Sequence, residues 1–339
     1  MLKTVCFEDV LLVPQYSDIT SRKEISLDRN LDSHISLGFP VISSPMDTVT
    51  ESDMAVAMSC YGGLGIIHRY NKIEDQCKLV EIAKSCGAKN VGAAIGVTGD
   101  YFDRAANLVA SGCRILCIDI AHGHHAMMRY ALEVLRNTYG NAVHIMAGNV
   151  ATLDGFNDLS DWGADSIRVG IGGGSICSTR VQTGHGVPTL QSVIDCSKSD
   201  RDATLIADGG IRNSGDIVKA LAAGADFVML GSLIAGTDES PGEVIYANGE
   251  KHHAYRGMAS KDAQIDWRGH TASVEGVSSI IPDKGPISDV LCGLETGIRS
   301  GLSYTGSRTI SEIQSKSQMI MQTSAGAVES STHITKIRS

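Results

Sequence analysis

Eight short apolar runs, each followed by a stretch of helical spacing, restrict what this chain can fold into more than any other feature. The runs fall at 41–44, 64–67, 91–95, 115–119, 143–147, 166–169, 205–207 and 227–230. Between them apolar residues recur at steps of three and four, as in 73–86, 100–111 and 214–223, the pattern of a helix with one buried face. Strands separated by helices pair in parallel, because the chain crosses back before the next strand begins. Several runs end in residues able to bind or react: Ser44, His68, Asp119, Asn149, Asp208 and Gly231-Ser232. Eight units with such endings predict a closed TIM (β/α)8 barrel with its site at the C-terminal ends of the strands, rather than an open doubly wound sheet. The 339 residues suffice for one such barrel with an N-terminal extension.

Two segments interrupt the rhythm. One is a glycine-rich loop over 170–188, too long for an ordinary turn. The other is a polar stretch over 236–284, expected to form a lid at the barrel mouth with a flap over about 257–284. The Ser-rich tail from Ser324 lacks an apolar period and is expected to be partly flexible. A formal net charge of −9 disfavours nucleic acid as the main partner. No apolar run approaches the roughly 18 residues of a membrane span. Glu8-Asp9 stand where a signal peptide would have its apolar core. Nine cysteines without repeating spacing read as reduced thiols of a cytoplasmic protein.

Chemistry concentrates in Gly170–Arg180, where Cys177 follows Gly172-Gly173-Gly174-Ser175. Glycine lets backbone approach a ligand closely, and successive N–H groups cradle an anion. A thiol beside such a cradle is a candidate covalent nucleophile. Thr179, two residues on, can exchange a proton with a departing group. Other cysteines read as structural thiols. Asp208, at a strand end before Gly209-Gly210, can accept both hydroxyls of a ribose while the glycines offer N–H groups to a phosphate. Gly231-Ser232 repeats this ending on the next strand, and the pair matches the phosphate site that barrels build after strands seven and eight. Taken alone, Asp208 would read as a helix N-cap. The run Asp119-Ile120-Ala121-His122-Gly123-His124-His125 sets histidines near a carboxylate without the spacing that holds zinc, so contact with a second ligand is the stronger reading. Glu275, beside Gly276 past the lid, can relay protons or bind a base edge.

These residues together resemble the IMP dehydrogenase and GMP reductase family over nearly the whole chain. The matching words include Phe7-Glu8-Asp9-Val10-Leu11-Leu12-Val13-Pro14, Ser43-Ser44-Pro45-Met46-Asp47-Thr48-Val49 and Gly174-Ser175-Ile176-Cys177-Ser178-Thr179-Arg180. Ala207-Asp208-Gly209-Gly210-Ile211-Arg212, Gly236-Thr237-Asp238-Glu239-Ser240-Pro241-Gly242-Glu243 and Tyr255-Arg256-Gly257-Met258 follow in family order. The resemblance implies that Cys177 attacks C2 of a purine nucleoside monophosphate to form a thioimidate, with Thr179 and Glu275 handling protons. It implies that Ser175, Gly210, Gly231, Ser232 and Tyr255 hold the 5′-phosphate and Asp208 the ribose. Ser44, Met46, Asn149, Gly257, Met258 and Glu275 then surround the base. Asp119, Ala121, His122 and Gly170 face a nicotinamide cofactor, NADPH or alternatively NAD. The carbonyls of Gly170, Gly172 and Cys177 are implied ligands of a potassium ion, and a homotetramer is the implied assembly. Within the family, a short flap with Trp267-Arg268-Gly269 and no tyrosine, an Asp119-Ile120-Ala121-His122-Gly123 ending and no room for a CBS pair before 91 resemble the reductase. Thr183-Gly184 through Val187-Pro188 and the tail Ser324-Ala325-Gly326 resemble bacterial dehydrogenases. A GMP reductase is the expectation, with a compact IMP dehydrogenase as the alternative.

Overall fold

The computed structural model describes residues 3–271 and 274–330. Its centre is a closed barrel of eight parallel strands: Val41–Ser43, Leu64–Ile67, Val91–Ile95, Ile115–Asp119, His144–Val150, Ser166–Val169, Thr204–Asp208 and Phe227–Leu230. The eighth strand pairs with the first, Val228 beside Val41, which closes the TIM barrel and leaves it no edge. Helices fill the crossovers, among them Ile73–Ser85, Tyr101–Ala110 and Ser214–Ala222. The fifth and seventh strands outrun the apolar runs that announced them, reaching Val150 and Asp208. Their polar ends, Asn149 and Asp208, belong to the sheet because they face the barrel mouth, where polarity is tolerated.

Side chains pack on both faces of the barrel strands. Ile42, Leu64, Ile66, Ile115, Met146, Ile206, Phe227 and Met229 form the interior cluster. Leu31 and Leu37 join that cluster from a small antiparallel hairpin, Arg29–Asn30 with Ser36–Leu37, which plugs the end opposite the mouth. There the buried His144 ring lies 2.6 Å from Asp32 and 2.8 Å from the Ser166 hydroxyl, tying plug to barrel. Residues on the outward faces of the strands pack against the helices in a second, larger cluster. Each large side chain fully withdrawn from water contributes roughly 1.5–3 kcal/mol.

The chain ends meet. Val10–Leu12 pairs antiparallel with Met319–Met321. The tail expected to be flexible is a helix over Ser324–Glu329, started by the Thr323 hydroxyl accepting from Gly326 N at 3.2 Å; 331–339 lie outside the described residues. The segment after the eighth strand is likewise more ordered than its polarity suggested. It forms a three-stranded antiparallel sheet, Val244–Ala247, Glu250–Arg256 and Ser278–Pro282, with a helix, Lys261–Arg268, between the last two strands. Asn248 and Gly249 make the hairpin turn with φ of 53° and 84°, so an Asn-Gly signal stood in the sequence unread.

Candidate active site

A cavity of about 280 Å3 opens at the C-terminal ends of the barrel strands. Ser44 and Met46 enter it after the first strand, Asn149 from the fifth, Asp208 and Gly210 from the seventh, and Gly231 and Ser232 from the eighth. The cysteine loop adds Gly170, Gly172, Ser175, Cys177 and Thr179; the flap adds Tyr255, Gly257, Met258 and Glu275. Asp119 and Ala121 line the side under the fourth strand. His122 does not reach the cavity. It stands exposed on the turn after Asp119, and partial burial together with His124 and His125 lowers its pKa. Its two neighbours have local partners: His124 lies 2.8 Å from Asp158, and His125 Nδ1 accepts from Met127 N at 3.1 Å to cap the next helix.

Main-chain bonds place the thiol. An Ile171–Val187 bridge closes the loop at its base, and Arg180 crosses it to donate to Val187 O at 2.8 Å. A Cβ on Gly172 would stand 2.6 Å from Arg180 Cγ, and φ is +78°, so close approach and backbone conformation both require glycine there. Cys177 is exposed to the cavity, and its thiol donates to the Thr179 hydroxyl at 3.2 Å. Cys113, Cys117 and Cys196, by contrast, are buried thiols pushed up to about 12 by loss of solvent. The flap is zipped to the loop: Ser178 N donates to Glu275 O at 2.9 Å and Val277 N to Ile176 O at 3.1 Å. This pairing sets Glu275 and Gly276 across from Cys177, with Gly276 bridged to it.

Beneath the thiol loop lies a charge cluster centred on Arg168, which sequence reading missed. Its Nη1 donates to Asp119 at 2.6 Å, and its Nε and Nη2 donate to Asp208 at 3.1 and 2.9 Å. Asn149 Nδ2 donates both to Asp208 and to Gly170 O at 2.8 Å. Burial opposes the charge on Arg168, but Asp208 and then Asp119 outweigh it and hold its pKa well above the ordinary value. One signal was available: an arginine inside the apolar run Ser166-Ile167-Arg168-Val169 is a charge placed where charges are almost never buried unpaired.

Tyr255 contacts Ser175 and Ser232 through its hydroxyl; burial raises its pKa, and those two serines pull it down. A Cβ on Gly231 would come within 3.1 Å of the Tyr255 hydroxyl and 3.2 Å of Ser44 Oγ. The Ser44 hydroxyl is buried without a protein partner. This cradle of hydroxyls and bare backbone suits an anion.

Arg69, after the second strand, was also missed. It donates to Asp119 O at 3.2 Å, and its guanidinium lies 5.0 Å from the Tyr70 ring and 5.6 Å from the Trp267 ring. Tyr70 and Trp267 meet edge to face at 4.9 Å, docking the flap helix on the mouth. Arg256 anchors the root of the flap on Asp47 at 2.7 Å and Asp266 at 2.5 Å. A second cavity of about 150 Å3 shares Arg69 and Ile120 with the first and is lined by Thr98, Trp267 and Arg268. The carbonyls of Gly172 and Cys177 accept no described hydrogen bond, whereas that of Gly170 is engaged by Asn149. An alkali ion at this loop therefore fits the first two better than the third.

A (β/α)8 barrel whose mouth carries a thiol on a glycine loop, hydroxyls and bare backbone after strands seven and eight, and a flap across them has the layout of a barrel enzyme with its site at the strand C-termini. The sequence model described as "IMP dehydrogenase / GMP reductase domain" matches residues 4–333, and the chain belongs to that family of purine-nucleotide oxidoreductases. It is 34% identical to the inosine-5′-monophosphate dehydrogenase of Nitrosopumilus maritimus, covering 96% of this chain and 97% of that protein. It is 32% identical to the GMP reductase of Leishmania major, covering 96% of each. Those alignments run over 464 and 472 positions against 339 residues here, so the relatives carry segments this chain lacks. Among solved structures, a Cys-to-Ala variant of GMP reductase from Trypanosoma brucei, in complex with guanosine 5′-monophosphate, superposes with a TM-score of 0.94 at 30% identity over 98% of both chains.

Proposed function

We propose that the protein is a GMP reductase, converting GMP to IMP and ammonia with NADPH. The observation that carries this is the flap. Between 257 and 284 it holds no tyrosine, and its one arginine, Arg268, lines the second cavity rather than the one containing Cys177. A dehydrogenase must hydrolyse its thioimidate, and the Arg-Tyr pair that activates water in the dehydrogenases this chain resembles lacks its tyrosine here between 257 and 284.

The chemistry then follows from the residues present. The Cys177 sulfur adds to C2 of GMP. Thr179, 3.2 Å from the sulfur, and Glu275, across the loop, deliver a proton to the C2 amine, which leaves as ammonia while the thioimidate remains on Cys177. A nicotinamide cofactor held by Asp119, Ala121 and Arg69 would supply the hydride that C2 takes up. The carbon–sulfur bond breaks, its electron pair returns to sulfur, and IMP departs. Ser175, Gly210, Gly231, Ser232 and Tyr255 hold the phosphate, and Asp208, fixed by Arg168 and Asn149, takes the ribose hydroxyls. Ser44, Met46, Gly257 and Met258 enclose the base. Asp119, Ala121 and Arg69 flank the cofactor's reactive end, while the second cavity, with Arg69 and Arg268 beside it, suits its phosphates. A potassium ion would rest on the carbonyls of Gly172 and Cys177, and a homotetramer without a CBS pair is the proposed assembly. Mixing the protein with GMP and NADPH should consume the cofactor and yield IMP. Formation of NADH from IMP and NAD, with no NADPH oxidation at any potassium concentration, would overturn the assignment.

The alternative, a compact IMP dehydrogenase producing XMP, needs Arg268 to activate water. It is favoured only if Arg268→Ala stops hydrolysis while sparing hydride transfer.

A further inference from the structure

Lys284 follows the last flap strand, Ser278–Pro282, and does not line the cavity. Its half-buried ammonium points into the turn after the eighth barrel strand, donating to the carbonyl oxygens of Ser232 at 2.5 Å and Leu233 at 3.1 Å. Main-chain bonds fix it there: Lys284 N donates to Gly236 O at 2.8 Å, and Asp238 N to Gly285 O at 3.0 Å. Among the described residues no carboxylate forms an ion pair with it. The acids closest along the chain are engaged elsewhere: Asp283 with Lys251 and His253, Asp238 with Lys251, and Glu239 with the N–H of Ile287. Burial alone pulls its pKa down to about 8.

Peptide geometry gives this charge a direction. The Ser232–Leu233 peptide is trans, so its C=O and N–H point opposite ways. The ammonium on the Ser232 oxygen therefore lies behind the Leu233 N–H, and neither that N–H nor the Ser232 N–H donates to any described group. Gly231 and Ser232 line the cavity on the side where Tyr255 meets Ser175 and Ser232. The turn thus has an unneutralised cation at its carbonyl end and vacant donors at its other end. Resting on the phosphate site proposed above, we infer that Lys284 is a positioning residue for the nucleotide phosphate, fixing the 231–235 turn from behind and supplying a full positive charge to the anion through one layer of peptide.

The test compares monophosphate with nucleoside. Dissociation constants of GMP and guanosine, and of IMP and inosine, are measured from pH 7 to 9.5 on the wild type, Lys284→Met and Lys284→Arg. The nucleosides cancel titration of the base. Tyr255, raised by burial, stays neutral through most of this window. An anion raises the lysine's pKa in the bound state, so the phosphate's advantage should be full below about pH 8 and decline above it. We expect the wild-type advantage of GMP over guanosine to fall about tenfold across the range. Lys284→Met should lose at least as much at pH 7 and show a flat profile, with guanosine binding unchanged. Lys284→Arg should restore tight binding without the decline. A wild-type ratio that is flat with pH overturns the role of Lys284 even if Lys284→Met fails to fold. A Lys284→Met ratio equal to wild type does the same. A wild type that binds GMP no more tightly than guanosine overturns the phosphate-site reading itself.

Discussion

Cys177 and Arg168 illustrate two kinds of residue, one legible from sequence and one not. Cys177 was legible because its neighbours in the chain, three glycines and a serine, define its environment locally. Cys177→Ala should abolish turnover yet leave nucleotide binding within tenfold, about 1.4 kcal/mol, because the phosphate and ribose contacts survive; calorimetric titration with GMP checks this. Arg168 was not legible because its partners lie 49 and 40 residues away, and only barrel closure brings Asp119 and Asp208 to its two faces. Arg168→Met should leave two carboxylates facing each other under the cavity. Removing one partner of a buried ion cluster costs about 3–5 kcal/mol. Chemical denaturation should show a loss of that order, and Arg168→Lys should recover part of it, since lysine restores charge but not the forked contact. His122 stands exposed on the turn after Asp119, outside the cavity that holds Cys177, while Asp119 and Ala121 of the same motif line it.

At the scale of elements, the flap borders the cavity and carries the proposed choice of chemistry. The three strands of the 236–284 segment that carries it were hidden by polarity, because a sheet that lies over the barrel buries one face and wets the other, and Lys251, His252 and Glu250 swamp the alternation. What fastens it is equally non-local: Trp267 on Tyr70, Arg256 on Asp47, and two main-chain bonds to the cysteine loop. Trp267→Ala removes the aromatic contact without touching the thiol. It should raise the KM for the cofactor and speed proteolysis within 257–284, while nucleotide affinity in the absence of cofactor stays near wild type. Steady-state kinetics with limited proteolysis reads both. Unchanged protease sensitivity would mean that the flap is held by its root alone.

For the whole molecule, the barrel was legible because each strand–helix unit repeats a local pattern, and eight repetitions over one chain leave few closed arrangements. The plug at the opposite end was not legible, since Asp32 and His144 are distant in sequence and pair only once the barrel exists. That pair sets an acid limit on stability. Burial works to raise the pKa of Asp32, but His144 and the N–H groups of His34 and Ile35 overcome it and hold it near about 2. A carboxyl whose folded pKa lies below its unfolded value stabilises above the unfolded pKa and loses that contribution as pH falls toward the folded one. Asp32→Asn should therefore lower the Tm at pH 6, and the gap to wild type should shrink between about pH 4 and pH 2; a gap independent of pH would contradict the pairing. The central proposal is that the Cys177 sulfur bonds transiently to a purine. The direct measurement is to denature the protein during turnover with GMP and NADPH and map its peptides by mass. The account requires a nucleotide-derived mass on the peptide containing Cys177, absent from Cys177→Ala; turnover without any adduct at that position would contradict it.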